Sequence, residues 1–192
     1  MRRRMTWVGW LLLSLLLLLA LFPTRGVLRP ASADTTGAII DLGHLGGGFS
    51  VAHGINLLGQ VVGRSYTTEG PVRAFLWTAE AGMSDLGTLG GDYWSEARGI
   101  NDLGQVVGYS TTPAGVPHAF LWTAEAGMVD LGTLGGDNSR ASGINERGQV
   151  VGSADTAEGH RHAFVWIAEA GMVDLGTLGG AWSIAHGIND LG

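Results

Sequence analysis

The sequence predicts an all-β fold of propeller-like, four-stranded blades, and three observations carry that expectation. A block of about 44 residues recurs, with Asp-Leu-Gly starting at Asp41, Asp85, Asp130 and Asp174 and Gly-Ile-Asn at Gly54, Gly99, Gly143 and Gly187. The run Ala-Phe-x-Trp recurs in the same phase at Ala74, Ala119 and Ala163. A period of this length marks a solenoid, a propeller or an array, built from units that cannot bury their apolar faces alone. Each block also divides into four short segments that alternate or run apolar between glycine-containing turns, which is strand patterning. Finally, 33 glycines fall every few residues and no ten-residue stretch shows a 3.6-residue apolar period, so helix is disfavoured.

One copy shows the elements in order. Residues 95–101 alternate small or apolar side chains with polar ones and read as a first strand; Asp102, Leu103 and Gly104 make the turn. Residues 105–110 read as the second strand. Pro113, Gly115 and Pro117 then interrupt pairing across residues 111–117. Residues 118–123, rich in aromatic and apolar side chains, form the third strand, Glu125 to Gly127 a tight turn, and residues 128–134 the fourth. Four short antiparallel strands per block match a propeller blade; an open β-solenoid or a flat array of hairpins is the alternative. Three full blades are expected, with partial ones around them: a fourth-type strand at residues 39–45 and a first-type strand in the copy starting near 174. That last copy is cut inside its first turn at Gly192, as in a truncated product or the start of a longer chain.

His118-Ala119-Phe120 and His162-Ala163-Phe164, with the Gly-Ile-Asn and Asp-Leu-Gly-Thr-Leu-Gly-Gly runs, resemble the bacterial HAF-type extracellular repeat. The resemblance covers residue 39 to the end. It implies a secreted or surface-exposed bacterial protein with propeller-like repeats, and it brings no catalytic residues. The first copy departs from the pattern, with Arg73 where the histidine would stand, so the histidine is not indispensable to the blade.

Residues 1–33 read as a signal peptide. Arg2, Arg3 and Arg4 supply a basic start, residues 6–22 an apolar stretch, and Ala31-Ser32-Ala33 a small-residue cleavage site before Asp34. An uncleaved membrane anchor is the alternative; either way residues 34–192, the β-repeat domain, end up outside the cytoplasm. The chain has no cysteine, which excludes disulfides, thiolate metal sites and a cysteine-linked lipid anchor. Five of the 11 basic residues lie in the leader, leaving six arginines against 17 acidic residues, a formal charge of −11. So acidic a domain is a poor partner for nucleic acid or an anionic membrane surface. Membrane contact is expected only through an uncleaved leader, and the open blade edges invite self-association.

Most recurring residues read as scaffold. The Asn-x-x-Gly pattern before Gly59, Gly104 and Gly148 is turn chemistry; calcium binding through Asn101 and Asp102, or Asn145 and Glu146, would need more oxygens. The first copy, moreover, has Leu57 in place of the acid. Asp41, Asp85, Asp130 and Asp174 are expected to close turns, and Glu80, Glu125 and Glu169 to be exposed. Trp77, Trp122 and Trp166 read as core between blades. His118 and His162 sit in different copies, and the local pair His160 and His162 lacks a third ligand, so no metal site and no cofactor is expected.

A site is expected where the copies differ. Alternating strand directions put the loop after the second strand and the connection after the fourth on one face, and there the copies disagree. That face carries Phe49, Tyr93, Trp94 and Trp182 among Asp92, Arg98, Arg140, His160 and Arg161. Aromatic platforms beside charged groups suit a glycan or an extended segment of an extracellular protein; the alternative is that these aromatics pack between blades. The expected function is therefore a non-catalytic, secreted or surface-exposed repeat domain for binding or structural interaction. Its rival is a propeller enzyme acting on polysaccharide, a glycoside hydrolase or lyase. That enzyme would need two non-repeated carboxylates across one pocket, drawn from Asp92, Glu96, Asp137 and Asp155.

Overall fold

The computed structural model describes residue 37 and residues 39–192; the leader at residues 1–33 and its cleavage site lie outside the described residues. Twelve strands form three four-stranded antiparallel sheets, each a meander in sequence order. The first holds β1 (Gly46–Ile55), β2 (Val61–Thr67), β3 (Val72–Thr78) and β4 (Gly82–Asp85). The second holds β5 (Ser95–Ile100), β6 (Val106–Thr111), β7 (Pro117–Thr123) and β8 (Gly127–Asp130). The third holds β9 (Gly135–Ile144), β10 (Val150–Thr156), β11 (Arg161–Ile167) and β12 (Gly171–Asp174). Among the described residues there is no helix, and the sheets do not close into a barrel.

Two expectations are corrected. The fourth strands stop at Asp85, Asp130 and Asp174 instead of running on to the Thr-Leu pairs. In each, the aspartate Oδ1 accepts the N–H of the glycine two residues on, at 2.7–2.8 Å for Gly87, Gly132 and Gly176, and this turn carries the chain out of the sheet. The two partial copies form no strand either: residues 39–45 and 183–189 lie outside regular structure, because no described strand is there to complete their ladders. The terminal segment docks nonetheless, through bonds to the third sheet.

Both faces of the middle sheet are buried, and this accounts for its apolar runs. Val106 and Phe120 face the first sheet, packing with Val62, Ala74, Leu86 and Ala97. Their neighbours Val107 and Ala119 face the third, packing with Ala141, Val150, Ala154 and Phe164. Successive strand residues point to opposite faces, so a Val-Val pair serves two cores at once. Phe75, Phe120 and Phe164 are fully buried, whereas Trp77, Trp122 and Trp166 are only half-buried. The aromatic centre of each unit is thus the phenylalanine. Trp122 and Trp166 cover the rims of the two cores.

Neighbouring units are stapled by side chains that recur in every copy. Asn56 Nδ2 donates to the carbonyl of Asn101, Asn101 to that of Asn145, and Asn145 to that of Asn189, each at 3.0 Å. One place further on, the acid of each later copy accepts a backbone N–H from the copy before: Asp102 from Leu57, Glu146 from Asp102, Asp190 from Glu146. Leu57 has no described copy before it to serve. The first-strand serine does the same work across the interface, Ser95 Oγ accepting from Ala74 N–H and donating to the Gly87 carbonyl, with Ser139 and Ser183 in equivalent roles.

The turn at Asn101 shows how local chemistry supports the staple. Its Oδ1 accepts the N–H of Gln105 at 2.9 Å while Gly104, at φ 76°, takes the left-handed conformation that reverses the chain. With its carbonyl engaged locally, the amide Nδ2 is left to reach Gln105 Oε1 and the next copy.

Candidate functional site

In the first strand every copy reads Ser-x-Ala-x-Gly-Ile-Asn, and the two variable places are occupied by Val51 and His53, Glu96 and Arg98, Arg140 and Ser142, Ile184 and His186. The constant serine and alanine face the neighbouring unit; six of the eight variable side chains converge on the opposite side of the strands. There they open a cleft of about 350 Å³ lined by His53, Arg98, Arg140, Ser142, Ile184 and His186. Tyr109 and Ser153, from the equivalent variable place of the second strand, complete it, with Arg161 at its edge.

A β-bulge shapes this wall three times. Ala52 pairs with Gly63 and Gly54 with Val62, so His53 is an extra residue in its strand; Arg98 and Ser142 are extra in theirs by the same shift. Bulges bend a strand and re-aim the side chain they carry. The glycine opposite is obligatory, because a Cβ at Gly63, Gly108 or Gly152 would overlap the carbonyl oxygen of Val51, Glu96 or Arg140.

Glu96 lies behind the lining residues His53, Arg98 and Tyr109, its side chain 1% exposed. Tyr109 donates its hydroxyl to Oε2 at 2.7 Å and Arg64 donates to the same oxygen at 3.1 Å. His53 Nε2 and Arg98 Nε lie 2.9 and 2.8 Å from Oε1; these are ion-pair distances, but the N–H directions miss the oxygen. A carboxylate so deeply buried is tolerable only with opposite charge around it, and here Arg64 and Arg98 supply it. Burial desolvates the His53 imidazole and pulls its pKa below the ordinary value; Glu96 opposes that shift, and Arg98 and Arg64 reinforce it. The Tyr109 hydroxyl is pushed up, first by burial and then by its bond to Glu96.

The charged residues expected as a site divide into two groups. Arg98, Arg140 and Arg161 come together in the cleft. Arg98 and Arg140 lie over the Tyr109 ring, at 5.8 and 4.7 Å from its centroid, and Arg161 Nε bonds Asp155 at 2.9 Å. Although desolvation opposes it, bonds from Asn138 and Arg161 hold the Asp155 carboxyl below its ordinary range. Asp92 and His160 stay outside, exposed; the Asp92 carbonyl accepts from Arg73, and His160 meets His162 edge-on at 6.3 Å between ring centres.

The aromatics on that face do not enter the cleft. Tyr93 and Trp182 are 77% and 68% exposed, and Phe49 stacks edge-on against Tyr66. Trp94 is half-buried with Arg64 over its ring at 5.2 Å. The repeated histidines have a local use: His118 Nδ1 lies 2.7 Å from Asp130 Oδ2 and His162 Nδ1 2.8 Å from Asp174 Oδ2. In the first copy Arg73 approaches Asp85 in their stead, so a nitrogen-bearing side chain is kept beside that aspartate. The bond from His162, then the Gly176 N–H, holds the Asp174 carboxyl below its ordinary range. Among the described residues no group of three or more potential ligands is placed to hold a metal ion.

His53, Tyr109, Ser142, Ser153, Ile184 and His186 lie outside the variable loops in which a site is expected. Superposing the four Ser-x-Ala-x-Gly-Ile-Asn runs exposes the first-strand members among them, since the variable places stand out inside a constant frame. A second hollow lies on the outer face of the third sheet. It is lined by Val151, Val165, Ile167, Leu175 and Ile188, and Val151 is the counterpart of Val107, which a neighbouring sheet covers in the middle unit. Compared with known families and curated proteins, the chain matches no family model and no curated protein.

Proposed function

We propose that this is a non-catalytic, extracytoplasmic binding domain of propeller-like blades, with its ligand site in the cleft between the first strands. The observation that carries the reading is that the cleft is assembled largely from the places at which the otherwise constant first strands differ. A repeat that served only as a spacer would have no reason to gather the variable places of its first strands on one concave wall. The blade reading is supported by radial packing: β5 lies against β1, β2 and β3, and β9 against β5, β6 and β7. The outer strands β4, β8 and β12 make at most marginal contact with one another among the described residues. Inner strands that converge while outer strands diverge suit blades around an axis better than a flat array of hairpins. The basic and apolar leader and the HAF-type resemblance support the extracytoplasmic location.

The carboxylates favour binding over hydrolysis. Glu96 is enclosed by cations and Asp155 is held by Arg161 and Asn138, so neither is free to act as an acid or a nucleophile. A glycan array run beside a polysaccharide turnover screen tests the reading. Saturable binding without turnover, lost on Ser142→Trp, is expected; turnover abolished by Asp92→Ala or Asp137→Ala would overturn it.

A further inference from the structure

We infer that the cleft selects a sugar carrying a carboxylate, a uronate unit of an acidic glycan, with Arg140 as the group that grips the carboxylate; the inference rests on the binding reading above. Charge is the first reason. The chain outside the leader has six arginines against 17 acidic residues, yet Arg98, Arg140 and Arg161 line this one cleft and Arg64 lies under it. The carboxylates facing them are Glu96 and Asp155, so four guanidiniums stand against two carboxylates. An acidic surface thus surrounds a concave patch of opposite sign, and such a patch concentrates anions.

The state of each arginine is the second reason. Arg64 and Arg98 are engaged by Glu96, and Arg161 by Asp155. Among the described residues Arg140 forms no ion pair: its guanidinium lies 4.7 Å over the Tyr109 ring, positioned by the aromatic face. A guanidinium fixed in this way presents parallel N–H groups that match a carboxylate in two bonds at once.

The rest of the lining identifies a hydroxylated ligand. Ser142 and Ser153 bring hydroxyl groups that have no partner within the protein among the described residues, and the His53 and His186 rings can accept or donate. A cleft of about 350 Å³ lies in the range of small-ligand pockets and suits one or two sugar units better than an extended peptide.

Calorimetric titration of the full chain at low ionic strength with galacturonate, digalacturonate, galactose, a triglutamate peptide and inorganic phosphate tests this. The uronates are expected to bind at least tenfold more tightly than the other three. Arg140→Gln should abolish that preference without moving the melting temperature, Arg140→Lys should restore part of it, and Arg147→Gln, on the tight-turn side, should change nothing. Galactose binding as tightly as galacturonate, or tightest binding by the peptide or phosphate, would overturn the uronate assignment. If that binding were still lost on Ser142→Trp, the cleft would stand as a binding site of another specificity. No response from any probe, with Ser142→Trp indistinguishable from the parent chain, would overturn both the assignment and the binding reading.

Discussion

The tight-turn side and the cleft both bury polar side chains, and they do so on opposite terms. On the turn side, Asn101 and Asn145 are 2% and 3% exposed, and each makes the same set of bonds to its own turn and to the next copy. In the cleft, Glu96 is buried once, and its partners His53, Arg64, Arg98 and Tyr109 come from four strands of two units. Burial that repeats is what joins one unit to the next. Burial that occurs once, at a place where sister copies carry Val51, Arg140 and Ile184, is not required by the repeating unit and accords with the proposed site.

This contrast can be broken most forcefully at Glu96. Glu96→Ala leaves Arg64 and Arg98 facing each other without their carboxylate. Because both arginines are partly exposed, the loss should sit at the low end for a broken buried pair, about 3 kcal/mol by urea denaturation. Added salt should return part of it. If the copies are equivalent on the turn side, Asn101→Ala and Asn145→Ala should each cost about 1–3 kcal/mol, because each removes a bond to the next copy's carbonyl and leaves the turn's own N–H groups without their acceptor. Unequal losses would show that the staple is not a repeating unit.

Smaller effects test direction. Asp102→Ala removes the acceptor for the Leu57 N–H at an exposed turn and should cost about 0.5–1.5 kcal/mol, whereas Leu57→Asp should leave the melting temperature unchanged. The smallest effect is a pH dependence. Burial lowers the His53 pKa, so in acid the unfolded chain takes up a proton that the folded chain refuses. Stability should therefore fall as pH drops from the ordinary imidazole value of about 6.5 toward the lowered one, and His53→Gln should flatten that stretch of the curve. Asp174, whose pKa is also lowered, contributes stability that is lost only further down, in the carboxylate range, so the two windows separate.

Much of the unit was legible in the chain. Four strands per copy, their antiparallel order and the tight turns follow from period-two patterning and from glycines such as Gly104, which local sterics alone decide. The aspartates at 85, 130 and 174 close turns as expected, because an Asx turn needs only residues two apart. Legibility failed where residues about 44 apart had to meet. The asparagine amide serves its own turn, as its spacing from the glycine implies, but it also bonds the next copy, which local spacing does not reveal. Tryptophan size suggested the core, but the alternation of faces buried Phe120 between sheets and left Trp122 at the rim.

The site divides in the same way. Variation between copies is written in the sequence, and it was sought in the loops, where chain composition changes most. Interactions between near neighbours set the unit, with its strands, its turns and its constant and variable places, and these are written in the chain. That variable places from four copies face one cleft, and that Glu96 is enclosed by charges from two units, emerges from the packing of the sheets. That depends on how whole sheets stack, a long-range packing outcome of two buried faces per sheet that no local pattern encodes.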